Sequence, residues 1–182
     1  MENITTTTKN KMAAMYGVIT GIFYVIMATI AYTQVSNITV FYTVKATGYL
    51  LLLVLTGLLA ARIRKANGGY IQFKDVFGAI IVMMLVSGAI YFIYNYIYIE
   101  YIDKQYVYKL KAAMLQWMEK RNTPDDIMNT TEKSFDKQIA ESKTFNLGNN
   151  VLSYFSNLML DCLLGLGVAA IIKKNKPFDA KF

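Results

Sequence analysis

The chain of 182 residues contains no histidine and a single cysteine, Cys162. An intramolecular disulfide is therefore impossible, and the ligand sets that usually hold zinc or haem are missing. Without histidine, no serine or cysteine has its usual activating base, and no glycine loop followed by Lys-Ser or Lys-Thr is present to hold phosphates. We therefore predict no catalytic, cofactor-binding or metal site, and a protein that is not an enzyme.

Proline is also scarce, with two residues, whereas 55% of all residues are hydrophobic. The hydrophobic residues form four long blocks, and an apolar block of about 20 residues is long enough to cross a bilayer as a helix. The predicted spans cover about 12–32, 42–61, 76–99 and 151–172. The sequence thus predicts a single membrane domain over 1–182, an all-α integral membrane four-helix bundle.

The segment of about 100–147 is polar and charged, and it separates the third block from the fourth. Tyrosines between 91 and 101 mark a membrane interface at the end of the third span. Beyond them, Leu110 and Met114 belong to a set of apolar residues at helical spacing. Thr123 is placed to cap a second helix that has Pro124 in its first turn. We expect a helical hairpin that folds on itself or lies on the membrane.

The net charge of +7 is unevenly divided between the two sides of the predicted bundle. The N-terminal segment, the loop of about 62–75 and the C-terminal tail hold ten basic and three acidic residues, whereas residues 100–150 contain eight of each. The positive-inside rule places the basic side in the cytoplasm. Both termini should therefore be cytoplasmic and the hairpin extracytoplasmic. The basic and aromatic residues lie on opposite sides, which argues against nucleic acid as a partner.

Asp161 is the only acidic residue deep inside a predicted span, where a charge is costly. It belongs to a polar-to-small stripe that repeats every four residues and should face other helices: Ser153, Asn157, Asp161, Gly165 and Ala169. Candidate partners on the first and third spans are Thr20, Tyr24, Ser87 and Tyr91. The other charge within a span, Lys45, lies near the start of the second block, where we expect it to snorkel to the headgroups.

Two roles for Asp161 follow from its position. In the first, it binds a cation or relays protons, as intramembrane carboxylates often do. In the second, it is a neutral, hydrogen-bonded acid that holds the bundle together, because a dry site favours the uncharged form. The lack of a second membrane carboxylate or histidine favours the structural role.

Glycine occurs where helices approach closely or the chain turns. Gly17 and Gly21 form a GxxxG pattern in the first span, and we expect them to pack against another helix of the same bundle rather than to form a dimer face. Gly165 lies on the stripe of the fourth span and should pack in the same way. Gly68 and Gly69 suit a turn after the second span.

Four features together resemble one protein family. They are the loop 67–73 with its glycine pair, the tyrosine-rich segment 91–101 followed by Ile102 and Asp103, the charged hairpin with Thr123-Pro124, and the lysines that end the last span. In their order and spacing the chain resembles the bacterial four-span inner-membrane proteins grouped as domain of unknown function 4199. The resemblance implies a multi-pass protein of the bacterial cytoplasmic membrane, and it brings no catalytic or binding residues with it.

Two functions stay open at this point. The first is a non-catalytic accessory or scaffold subunit that binds a membrane-protein partner through its extracytoplasmic hairpin, because long segments outside the membrane often carry function. The second is an oligomeric channel or transporter component in which Asp161 is a proton or cation site. The lipid bilayer is a partner in both, and the second also requires a homo-oligomer.

Overall fold

A computed structural model describes residues 5–142 and 147–175; the side chains of 141, 142, 147–153 and 157 lie outside the description. Within these residues the chain forms six α-helices: α1 (Thr6–Thr33), α2 (Ile38–Ala66), α3 (Phe73–Ile97), α4 (Tyr106–Glu119), α5 (Asp125–Ser142) and α6 (Leu147–Ile172). A π-helical turn, Tyr98–Ile102, continues α3. No β-strand occurs in this part of the chain, where one isolated bridge joins Ile71 to Lys174.

Four of these helices are long and apolar enough to cross a membrane: α1, α2, α3 with its π-helical turn, and α6. Their outer faces carry exposed apolar side chains, among them Leu50, Met159 and Ile171. Such faces are stable next to lipid, where the backbone groups are satisfied within each helix. The all-α membrane four-helix bundle predicted from the sequence is confirmed.

The second membrane helix begins earlier than its hydropathy suggests. Asn37 caps α2 by accepting a hydrogen bond from the Val40 amide at 3.3 Å, so the helix starts at Ile38. Lys45 therefore lies seven residues into α2, about 10 Å from the start of the helix. At the other end of α2, Gly68 and Gly69 adopt φ values of 75° and 87°, a left-handed turn that glycine makes without strain.

The start of α5 also differs from the prediction. The first helical hydrogen bonds come from the amides of Ile127 and Met128, and both are accepted by the Pro124 carbonyl at 3.1 Å. Pro124 therefore occupies the cap position that the sequence assigned to Thr123. The reason lies in the preceding turn, where Asn122 is left-handed and the Thr123 amide donates back to the Met118 carbonyl.

The helices pack in the order α1, α2, α6 and α3 around the bundle. One hydrophobic core cluster joins these helices toward the end formed by the α1 start, the α2–α3 loop and the α6 end, which we call the basic end. A second cluster joins α1, α2, α3 and α4 at the opposite end, which we call the hairpin end. Between the two clusters, α1 and α3 carry the buried polar residues Thr20 and Ser87, and we call this level the polar region.

Close helix approach depends on the glycines that the sequence singled out. A Cβ atom at Gly17 would lie 2.7 Å from Val86 Cβ, and one at Gly21 would lie 2.8 Å from Ile90 Cδ1, so both glycines face α3. A Cβ atom at Gly165 would lie 3.0 Å from Ile80 Cγ2, again on α3. These glycines bring α1 and α6 onto α3.

The helices α4 and α5 are joined by ion pairs and are attached to the bundle through α4. Lys111 on α4 lies 2.7 Å from Asp136 and 2.9 Å from Glu132, both on α5. Their hydrogen bonds, that of Asp136 first, raise the pKa of Lys111. Tyr106, at the start of α4, packs its ring 4.7 Å from that of Tyr32 in α1. The hairpin is thus anchored on the end of the bundle by aromatic packing.

Candidate functional site

Asp161 lies in the middle part of α6, and its Oδ1 accepts a short hydrogen bond from the hydroxyl of Tyr49 in α2. Tyr49 is one helical turn beyond Lys45, so both side chains project from the same face of α2. The bond joins α2 to α6 at the level where the polar region lies. Tyr49 was not among the partners predicted for Asp161.

Asp161 lines a cavity of about 640 Å³ that opens between the helices. Lys45 and Asp161 both line it, although they come from different helices. The lining residues are Tyr24, Lys45, Tyr49, Gly88, Tyr91, Phe92, Asn95, Tyr154, Leu158, Leu160, Asp161, Leu163 and Leu164. A smaller adjoining cavity of about 340 Å³ shares Tyr24, Lys45, Tyr49 and Tyr91. The fold therefore places an acid and a lysine around one space inside the bundle.

A tyrosine network continues from this cavity toward the hairpin end. The rings of Tyr24 and Tyr91 stack with centroids 4.1 Å apart. The Tyr91 hydroxyl lies 2.8 Å from that of Tyr32, which in turn donates to Asn95 Oδ1 at 2.5 Å. The two hydrogen bonds fix the hydroxyl groups of Tyr91 and Tyr32 and the amide of Asn95 relative to one another. The network reaches the aromatic cluster on which α4 rests.

Not every predicted partner of Asp161 reaches it. Tyr24 and Tyr91 line the same cavity as Asp161. Thr20 instead donates to the carbonyls of Tyr16 and Gly17 in its own helix, and Ser87 donates to the Met84 carbonyl. The side chain of Asn157, also singled out with Asp161, lies outside the described residues.

Tyr49 and Lys45 carry a signal in the sequence of the same kind as the polar stripes of the other helices. Lys45, Tyr49 and Thr56 repeat at helical spacing along α2, and Thr56 is buried. This is the same kind of polar stripe that identified Asp161 in α6. Leucines between Tyr49 and Thr56 interrupt the stripe and hide it within an apolar block.

The chemistry available here is that of an acid, an amine, phenols and an amide. In residues 5–142 and 147–175 no three His, Cys, Asp or Glu side chains come close enough to hold a metal ion. The carboxyl group of Asp161 can bind a proton or a small cation, and the surrounding hydroxyl groups can donate hydrogen bonds to its charged form. Cys162, next to Asp161, is a free thiol on the adjacent position of α6.

A comparison with known protein families covers nearly the whole bundle. Residues 15–174 match the family model described as "Protein of unknown function (DUF4199)". The chain belongs to the DUF4199 family. The matched region contains most of α1, all of the other helices and every described residue of the Asp161 cavity. No curated protein and no solved structure matches this DUF4199 chain. The family assignment agrees with the resemblance noted in the sequence, and it assigns no activity.

Proposed function

We propose that this DUF4199 protein is a non-enzymatic component of a membrane channel or transporter, built from copies of the chain, in which Asp161 is a proton or cation site. One observation carries the proposal: Asp161 and Lys45 line the same cavity, with Tyr49 bonded to Asp161. Ionisable groups inside a membrane protein usually mark a path for ions or protons, because burying them otherwise costs stability.

The packing beyond Asp161 supports the proposal of several copies. One turn farther along α6, Gly165 sits against Ile80 and Met84. Ile63 and Ile80 are 0% exposed and Met83 is 1% exposed, so the core toward the basic end is closed. A single chain therefore offers a site reached from the hairpin end or from between the helices. A path across the membrane needs either a second copy or a rearrangement of α6.

Proton flux into liposomes tests this proposal. Purified protein is reconstituted with a pH-sensitive dye inside the vesicles, and a potassium diffusion potential is imposed. The wild-type chain should admit protons, whereas Asp161→Asn should abolish the flux, since asparagine still accepts the Tyr49 hydrogen bond but loses the titratable group. Asp75→Asn is the matched control, because Asp75 pairs with Lys9 at the basic end. Equal flux in wild type and Asp161→Asn would overturn the proposal.

We further propose that the basic end faces the cytoplasm, which fits a protein of a bacterial cytoplasmic membrane. In the described residues, Arg62, Lys65 and Lys174 lie at this end, together with Lys9 and Lys74. Basic residues beside membrane helices favour the cytoplasmic side. The hairpin of α4 and α5 would then be extracytoplasmic.

A second function, that of an accessory subunit, is supported by the hairpin. Its attachment through Tyr106 and its internal Lys111 ion pairs give it a defined surface, on which Tyr108 and Ile127 are each 49% exposed. Large apolar side chains of this kind serve as anchors at protein interfaces. Replacing Tyr108 and Ile127 by lysine should release a co-purifying membrane protein, while Lys120→Glu should retain it. Retention of the same partner by both variants would rule out this surface.

A further inference from the structure

A second cavity, of about 520 Å³, lies at the basic end between the last turn of α2 and the segment after α6. Arg62, Arg64, Lys65 and Lys174 line it, and no acidic residue does in the part of the chain described. The described ion pairs leave all four cations without a carboxylate partner. Four cations around one space attract an anion, because their fields add.

The fold holds the guanidinium group of Arg64 and the backbone of Lys174 in place. Arg64 Nη1 donates to the carbonyl of Ile172 at 3.0 Å, which ties α2 to the end of α6. The backbone of Lys174 pairs with that of Ile71 through two hydrogen bonds of 2.8 and 3.0 Å. Preorganised groups lose less conformational entropy when a ligand binds. The cavity therefore contains one fixed guanidinium group among its cations.

An apolar stripe leads from the membrane into the same cavity. Leu51, Val54 and Leu58 follow one another at spacings of three and four residues, and they are 48%, 60% and 60% exposed. They therefore share one outward face of α2. Leu58 also lines the cavity, and Arg62 lies one turn beyond it. A ligand that fits both features has an anionic head and a long apolar chain.

We propose that this cavity binds the phosphate headgroup of an anionic phospholipid, whose acyl chain lies along Leu51, Val54 and Leu58. Arginine guanidinium groups suit phosphate because they donate paired hydrogen bonds, and a lysine adds a point charge. Basic pockets between membrane helices are a known type of site for acidic lipid headgroups. The site lies apart from the Asp161 cavity and does not depend on the transport proposal.

Native mass spectrometry of the full chain in neutral detergent tests the site, with dioleoyl phosphatidylglycerol as the probe and phosphatidylcholine as the neutral comparison. Arg62→Gln combined with Lys65→Gln should weaken phosphatidylglycerol binding about thirtyfold, as expected for removing two basic residues from a headgroup site. The matched control, Lys11→Gln with Lys74→Gln, removes the same charge from the same end without altering this cavity. It should change binding by less than about threefold.

The outcomes test the site itself and distinguish a lipid headgroup from a soluble phosphate. Equal weakening by both double variants would show attraction to a generally basic surface and would overturn the site. Binding unchanged in Arg62→Gln with Lys65→Gln would do the same. Glycerol 1-phosphate added as competitor should fail to displace the lipid at equal concentration, because it lacks the acyl chain. Displacement at equal concentration would mean that a soluble phosphate is the ligand. By itself, Leu58→Ser should also weaken lipid binding. It provides a second check if the double variant does not fold.

Discussion

At the scale of single residues, the carboxyl group of Asp161 lies within a membrane helix and is bonded to Tyr49. Among the ion pairs of the described residues, none joins it to Lys45, although both line the same cavity. A cavity of about 640 Å³ has room for on the order of ten water molecules. Water there would lower the cost of the charged form, which supports the proposed proton or cation site.

Removing the Tyr49 hydroxyl tests how far this bond stabilises the bundle. Tyr49→Phe deprives the Asp161 carboxyl of its donor and should lower the stability by about 1–3 kcal/mol. The measurement is thermal unfolding in detergent, monitored by the loss of the monodisperse peak. Tyr42→Phe is the control, since Tyr42 lines the adjoining cavity but does not contact Asp161 through a hydrogen bond. Equal unfolding temperatures for Tyr49→Phe and wild type would show that the bond contributes little.

Asp161 could be identified from the sequence, but the residues around it could not. The reason for this difference is physical. An acid in the middle of an apolar helix is exceptional on cost alone, so it is visible without any knowledge of packing. Its partner depends on how α2 and α6 are rotated about their axes, and periodicity in one helix does not determine the rotation of another. Lys45 lies farther from the start of α2 than from the start of its apolar block, because the cap at Asn37 begins the helix earlier.

At the scale of elements, α1 is held against α3 by small residues. Gly17 approaches both a side chain and the backbone of α3, since its added Cβ would also lie 2.9 Å from the Met83 carbonyl oxygen. The GxxxG pattern predicted close packing inside the bundle. It did not predict which helix would be the partner, because the pattern describes one surface only.

An added methyl group at this contact should separate the two helices. Gly17→Ala forces α3 to shift, and overpacking of this kind costs about 1–3 kcal/mol. Gly78→Ala is the matched control, because no atom lies within 4 Å of a Cβ at that position of α3. Thermal unfolding in detergent should show a lower midpoint for Gly17→Ala than for wild type. The midpoint of Gly78→Ala should not be lowered. Equal midpoints for the two variants would contradict the close contact between α1 and α3.

The hairpin end shows where the sequence was less informative. Tyrosines near the end of the third span were expected to lie in the membrane interface. One of these, Tyr98, is 8% exposed and forms a core with Tyr32 and Tyr106 between α1, the π-helical turn and α4, whereas Tyr101 is 71% exposed. Tyrosine suits both settings because its ring is apolar and its hydroxyl is polar. The two settings are distinguished by the packing of α4 onto the bundle.

At the scale of the whole molecule, four apolar helices were predictable because their lengths match the thickness of a bilayer. The proposed topology rests on charge, which is concentrated at the basic end. The proposed orientation predicts that the C-terminal end of α4 is accessible from the extracytoplasmic side. Lys120 lies there and is exposed.

Cysteine labelling in intact cells tests that orientation. A membrane-impermeant maleimide should modify Lys120→Cys, whereas Lys65→Cys at the basic end should react only after the membrane is opened. The wild-type chain gives the background from its single cysteine, Cys162, which lies within α6. Labelling of Lys65→Cys and protection of Lys120→Cys in intact cells would reverse the orientation.

The central claim, that Asp161 exchanges protons with its surroundings, is tested most directly by infrared spectroscopy of the protein in lipid nanodiscs. Spectra recorded from about pH 5 to about pH 9 should contain a protonated carboxyl band that declines as the pH rises. Asp161→Asn should remove this band, and Tyr49→Phe should move its frequency because the hydrogen bond is lost. An Asp161 band that stays constant over this range would contradict the account and leave Asp161 as a purely structural acid.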